Sequence, residues 1–422
     1  MSTGRQTWTH WLVALLAALA VLPADGPQPQ AADAESQKKT QVPKALRPVL
    51  SRAEVLANDP VVLERIGRHL VIGYHSFATA KALVEKRAIA GIFITDHNVS
   101  KRKIAEVRAE IDALQGIRAK QGLPPLVIAA DQEGGAVSRL SPPLARQTGL
   151  SRVIAGRKPG DDLQSLVTAY AQKQAGELKR IGVNLNFSPV VDLKIDPHRR
   201  SDGETQLRYR ALSSDAATVS DVAGWYCDAL QVEGIYCTIK HFPGLGRVTL
   251  DTHRRAGEIK ATAAELNATD WVPFRRLMGR PNVVTMLAHV RLTAIDPGEP
   301  ASLNQRIIDG LIRKEWKYDG LLITDDLSMG AVTRSKDGVG QAAVKALNAG
   351  ADLLLVSFSD RYLDAIMTAL IEADLNGGLD AKARTASLER LKKLPSAHPP
   401  LQKPRTAQSE APPAAKGEVA AP

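Results

Sequence analysis

Short apolar runs separated by longer amphipathic segments occupy the middle of the chain. The runs fall at His69–Tyr74, Gly91–Thr95, Leu126–Asp131, Val183–Val190, Ile235–His241, Val283–His289, Leu321–Asp325 and Asp352–Ser357. Their length and their Val, Ile and Leu content suit strands buried on both faces. Between most of them lie segments with apolar residues at helical spacing: Lys101–Lys120, Leu163–Ile181, Ala216–Glu233, Asn304–Trp316 and Gly340–Ala349. Strands that alternate with helices in this way predict an α/β fold with a parallel sheet. The simplest closure is a (β/α)8 TIM-type barrel, one domain over residues 47–394. A doubly wound open sheet is the alternative. No G-x-G-x-x-G follows a strand, Gly244-Leu245-Gly246 lacks the third glycine, and no P-loop occurs.

The two ends of the chain differ from its middle. Trp11–Leu22 is an unbroken apolar run preceded by Arg5, too short to span a bilayer comfortably. It reads as the core of a signal peptide over residues 1–34, with cleavage after Ala24 or Ala34. Residues 35–46 read as a linker and 395–422 as a disordered tail. The expected location is the periplasm or outside the cell, with no stable membrane insertion after cleavage. If the run is not a signal, the cytoplasm is expected.

Composition narrows the function. Aromatic residues make up 4 % of the chain, too few for binding nucleic acid by base stacking. The net charge of +10 comes from Lys and Arg scattered among acids, which suits attraction to anionic substrates and gives no nucleic-acid motif. Cys227 and Cys237 lack zinc-ligand spacing. They read as two buried thiols, or as a disulfide if the chain is exported.

The polar groups sit at the ends of the predicted strands. Asp131 ends the third run, Lys240 and His241 the fifth, His289 the sixth, and Asp325 and Asp326 the seventh. In a barrel these ends converge on one mouth. After the fifth run, Pro243, Gly244 and Gly246 open a loop that carries Asp251 and His253. A carboxylate beside an imidazole can fix its tautomer and support its charged form. Two chemistries fit. In glycoside cleavage, Asp325 is the nucleophile and His253, supported by Asp251, the acid and base. In metal-assisted hydrolysis, Asp131, His241, His289 and Asp325 are the ligands.

The stretch KHFPGLGRVTLDTH, residues 240–253, resembles the signature of glycoside hydrolase family 3 in its β-N-acetylhexosaminidase branch, KHFPGHG followed by Asp-Ser-His. Further matches follow in order. Asp131–Gly135 is similar to DQEGG, Asn186–Asp192 to (N/S)FAPVxD, and Arg210–Asp215 to RSFSSD. Met286–Val290 is similar to MTAHV, Ala301–Leu303 to PA(T/S)L, and Thr324–Met329 to (S/T)DDLSM. The resemblance covers about His69 to Ser357. It implies a retaining exo-β-N-acetylglucosaminidase with Asp325 as nucleophile and an Asp251–His253 acid/base pair. It implies that Asp131, Arg139, Arg210, Lys240 and His241 bind the sugar, that no metal or organic cofactor is needed, and that the carbohydrate is a GlcNAc-containing oligosaccharide or a peptidoglycan fragment.

Three positions depart from the family pattern: Leu245 replaces a histidine, Arg247 an acidic or small residue, and Ala136 an arginine. The family's β-glucosidases carry a second α/β sandwich domain; the sequence shows no counterpart, which points to the single-barrel branch. A monomer is expected. The alternatives are a β-glucosidase, a glycoside phosphorylase, since a histidine acid/base does not repel phosphate, or a catalytically idle sugar-binding barrel.

Overall fold

A computed structural model describes residues 48–195, 205–248, 251, 253–254, 256–357 and 359–394. The chain divides into two units, Met1–Pro48 and Val49–Pro422. The expected signal peptide, linker and C-terminal tail lie outside the described residues.

Each of the eight apolar runs forms a strand: β1 Leu70–Gly73, β2 Gly91–Ile94, β3 Val127–Ala130, β4 Leu185–Asn186, β5 Tyr236–Phe242, β6 Val283–Leu287, β7 Leu321–Thr324 and β8 Leu354–Val356. All pair in parallel in sequence order, and β8 returns to β1 with Leu354 opposite Leu70. Between β7 and β8 the ring is completed by an Ile323–Leu353 bridge and by the Thr324 N–H donating to Leu353 O at 3.0 Å. The fold is a (β/α)8 barrel, not an open doubly wound sheet.

Side chains alternate across the strands. Val71, Val127, Ala129, Leu321, Ile323, Leu353 and Leu355 fill the barrel interior. Their neighbours Leu70, Ile72, Ile128, Leu322, Leu354 and Val356 pack outward beneath the helices. Those helices include α1 Ile104–Lys120, α2 Leu163–Ile181, α3 Ala216–Val232, α4 Gly338–Ala349 and α5 Asp360–Leu375. The alternation decides what reaches the mouth. Asp131 stands one pleat step above Ala129, and Asp325 one step above Ile323. Asp326 has the opposite parity.

Two elements differ from the pattern. β4 is two residues long, and asparagine side chains just before it and within it add bonds to β3 and the segment that follows β3. Asn184 Oδ1 accepts from Ile128 N at 2.7 Å, and Asn186 Oδ1 from Gln132 N at 3.0 Å. The segment expected to be helical at Asn304–Trp316 winds as a wide π-type helix over Arg306–Glu315. Cys227 on α3 and Cys237 on β5 form a disulfide, with both residues fully buried.

Candidate active site

Loops at the carboxyl ends of the strands enclose a cleft of about 400 Å³. Asp131, Arg139, Arg210, Lys240, His241, His253 and Asp325 all line it. Asp251 lies behind His253. The cleft is not the largest hollow on the protein, but it is where the candidate chemistry converges.

A buried ion network forms its floor. Lys240 Nζ lies 2.5 Å from Asp131 Oδ1 and 2.7 Å from Glu133 Oε1. Arg210 grips Glu133 with two donors, Nη2 to Oε1 at 2.6 Å and Nε to Oε2 at 2.9 Å. Burial works to raise the Glu133 carboxyl, but Arg210 and Lys240 outweigh it and bring it to about 2. For Lys240, burial is likewise outweighed, by Asp131 and Glu133, and its pKa is raised. Asp192, fully buried, accepts from His241 Nδ1 at 2.7 Å, from His241 N at 3.1 Å and from Leu245 N at 2.7 Å. It therefore orients His241 and anchors the start of the following loop.

The two adjacent aspartates divide by environment. Asp326 accepts from Ser328 N at 2.9 Å, Ser328 Oγ at 2.7 Å, Ser357 N at 3.0 Å and Ser357 Oγ. Its oxygens are consumed in tying the loop to β8. Among the described residues, the Asp325 carboxylate accepts one hydrogen bond, from the Asp326 N–H at 2.9 Å. Burial works to raise its carboxyl, but the imidazoles of His241, His289 and His253 and that N–H outweigh it. The group sits below the ordinary aspartate value and is ionised at neutral pH.

On the loop after β5, Asp251 Oδ1 accepts from His253 Nδ1 at 3.0 Å and from His253 N at 3.0 Å. Thr205 Oγ1 donates to the same oxygen at 3.2 Å. With Nδ1–H committed to Asp251, the neutral ring carries its lone pair on Nε2. The Gly330 N–H donates to His253 O at 2.8 Å, and a Cβ on Gly330 would stand 2.8 Å from that oxygen. The glycine thus lets the β7 loop hold the His253 segment.

His289 does not face the cleft. It is fully buried, with Nδ1 bonded to Ser302 Oγ at 2.7 Å and Nε2 to Asp326 O at 3.0 Å. Burial pushes its pKa down. The metal-ligand reading loses this member, and His241 Nδ1 and Asp131 are engaged with Asp192 and Lys240. Among the described residues no group of three or more His, Cys, Asp or Glu is placed to hold a metal ion.

Two departures from the motif have physical partners. Leu245 is buried at the cleft wall. Arg247 reaches Asp270, itself fully buried, at 2.7 Å, and Thr269 Oγ1 at 3.1 Å.

The sequence model described as glycosyl hydrolase family 3 N terminal domain matches residues 61–394. The chain belongs to glycoside hydrolase family 3. It is 30 % identical over 399 residues to the β-hexosaminidase LpqI of Mycobacterium tuberculosis, covering 92 % of this chain and 97 % of that protein. It is 32 % identical over 298 residues to a β-hexosaminidase of Pseudomonas aeruginosa, covering 69 % and 82 %. A family 3 β-N-acetylglucosaminidase from Paenibacillus sp. superposes with a TM-score of 0.71 at 30 % identity, covering 78 % of this chain; this chain spans 61 % of that one. In this family 3 barrel Glu133, Asp192, Asp326 and Thr205 also shape the site, though their types alone gave no role. Glu133 and Asp192 lie inside the stretches 131–135 and 186–192, so their position in a motif was the available signal.

Proposed function

We propose that the protein is a retaining exo-β-N-acetylglucosaminidase that removes terminal β-linked GlcNAc, with peptidoglycan fragments as substrate. The named relatives support the hexosaminidase class. The observation that carries the mechanism is the contrast between Asp325 and Asp326. One carboxylate is ionised and left to the cleft, and the other is spent on the loop. Asp325 Oδ attacks the anomeric carbon while protonated His253 gives its Nε2 proton to the leaving glycosidic oxygen. The C1–O bond breaks and a glycosyl ester forms on Asp325. Neutral His253 then takes a proton from water, whose oxygen attacks C1 and frees Asp325. Asp251 supports the imidazolium in the first step. Asp131 accepts from sugar hydroxyls, while Lys240, Arg210, His241 and Arg139 donate to hydroxyls or the acetamido oxygen.

This reading includes export. The apolar run Trp11–Leu22 is its sequence basis, and the Cys227–Cys237 disulfide supports it, because such bonds persist in oxidising compartments. Among the described residues no helix is long and apolar enough to cross a membrane.

The test is hydrolysis of 4-nitrophenyl β-N-acetylglucosaminide beside the β-glucoside, with Asp325→Asn as control. Preference for the acetamido sugar, lost in the variant, is expected. Near-normal activity of Asp325→Asn would refute the nucleophile assignment, and preference for the glucoside would refute the acetamido one.

A further inference from the structure

The loop after β5 that carries Asp251 and His253 is anchored both before and after the pair. Before it, Asp192 accepts from Leu245 N at 2.7 Å. The Arg247 side chain then reaches the start of the helix Trp271–Leu277, where Nε donates to Asp270 Oδ2 at 2.7 Å and Nη2 to Thr269 Oγ1 at 3.1 Å. After the pair, His253 O accepts from Gly330 N at 2.8 Å and Arg254 O from Arg334 Nη1 at 3.3 Å. Asp251 follows Arg247 by four residues. That length of chain spans at most about 14 Å, so there is little slack between the Arg247 anchor and the pair.

Asp270 makes this contact costly to lose. Its side chain is fully buried, and Arg247 is the one cation paired with it among the described residues. Thr269 Oγ1 donates to the same Oδ2 at 2.9 Å, and Oδ1 has no hydrogen-bond partner among the described residues. A buried carboxylate with a single cation holds that cation in place, because release would strand its charge. Loop and helix also touch directly. Gly244 turns with φ +108°, and a Cβ there would stand 3.1 Å from Asp270 Cβ. Arg247 does not line the cleft, so any effect it has on the reaction passes through the loop.

Proton transfer between His253 Nε2 and the glycosidic oxygen demands a fixed donor, and a misplacement of about 1 Å can cost about 10²-fold in rate. We propose that Arg247 is a positioning residue for the acid/base histidine: paired with Asp270 and Thr269, it fixes where the loop leaves the barrel, and through that the place of His253 relative to Asp325. The proposal rests on the hexosaminidase reading, with His253 as its acid and base. It adds a residue outside the cleft on which that role depends. Without the clamp the imidazole shifts, while Asp131, Lys240 and Asp325 stay in place on their own strand ends.

The experiment compares N,N′-diacetylchitobiose, whose leaving sugar needs a proton, with 4-nitrophenyl β-N-acetylglucosaminide, whose phenolate does not. The proteins are wild type, Arg247→Ala, His253→Ala, Arg247→Ala/His253→Ala and Arg247→Ala/Asp270→Asn. For Arg247→Ala, kcat/KM on the disaccharide should fall about 10²-fold. On the aryl glycoside kcat/KM should change by no more than about twofold, because the first step needs no acid. There kcat and KM should fall together, since the second step still needs His253 as base. Adding Arg247→Ala to His253→Ala should cost no more than about a further twofold on the disaccharide, because the two changes remove one function. Arg247→Ala also strands the Asp270 charge and should lower Tm. Arg247→Ala/Asp270→Asn removes that charge, so it should regain Tm and keep the selective loss, and it carries the test if Arg247→Ala does not fold. Unchanged disaccharide kinetics, an equal loss on both substrates, a full further loss in the His253→Ala background, or recovery of activity together with Tm would each make Arg247 merely structural and overturn the proposal. If His253→Ala itself does not separate the two substrates, or wild type turns over neither, the acid/base reading fails and the proposal falls with it.

Discussion

Glu133 is clamped by Arg210 through two hydrogen bonds of 2.6 and 2.9 Å, and this pair, 77 residues apart in sequence, belongs to the buried ion network at the floor of the cleft. Lys240 completes the network by bridging Glu133 and Asp131. Three segments of chain thus hold one another in place by charge before any substrate arrives, which is the preorganisation a sugar site needs.

Removing one member of that network leaves an uncompensated buried charge. Glu133→Gln should destabilise the protein at pH 7 by about 3–5 kcal/mol. The folded carboxyl lies at about 2 against an ordinary 4.5, so its stabilisation is full above about pH 4.5 and is lost as pH falls towards 2. The difference in Tm between wild type and variant should therefore be largest at neutral pH and shrink between pH 5 and 2. A difference that does not depend on pH in that window would contradict the account.

Asp325 and Asp326 should separate in two assays. Asp325→Asn should abolish turnover with little change in Tm. Asp326→Asn removes an acceptor of four hydrogen bonds and should cost about 1–3 kcal/mol of stability. Calorimetry and activity on the same two preparations check this. Loss of turnover only in Asp326→Asn would reverse the assignment.

His253→Ala should lower kcat on an alkyl or sugar leaving group by about 10²–10⁴-fold. On the 4-nitrophenyl glycoside the first step needs little protonation, so the loss there should be smaller and glycosyl-enzyme should accumulate. A burst followed by a slow steady phase is the expected signature. Asp251→Asn should lower kcat in the same assays, since the ring loses the carboxylate that holds its Nδ1–H.

The disulfide joins α3 to the strand that carries Lys240. Cys227→Ala/Cys237→Ala should lower stability by about 2–4 kcal/mol. Both cysteines are fully buried, so reductant should act on the unfolded chain and leave the native protein intact. Unfolding curves with and without reductant test this. Equal curves would show that the bond does not form in solution.

The local signals of the chain were enough for the barrel. The eight apolar runs became the eight strands because a strand buried on both faces writes its own signature in consecutive residues. Helix α2 spans Leu163–Ile181, as its spacing predicts. The pairing of Asp251 with His253 was legible for the same reason, since two residues of sequence separation already force proximity. Resemblance of motifs then named the residues that line the cleft.

What only the tertiary structure decided are relations between distant segments. Asp325 and Asp326 are chemically the same residue, and the pleat together with two serines makes one a cleft carboxylate and the other a tie. His289 sits at a strand end like Asp131, yet folding closes Ser302 and Asp326 over both its nitrogens. Glu133 and Asp192 gain their roles from Arg210, Lys240 and His241, which reach them across the mouth. Periodicity reports how one segment faces the core. The partner of a charge is set by which strand ends the closed barrel brings together, and no single stretch of sequence carries that information.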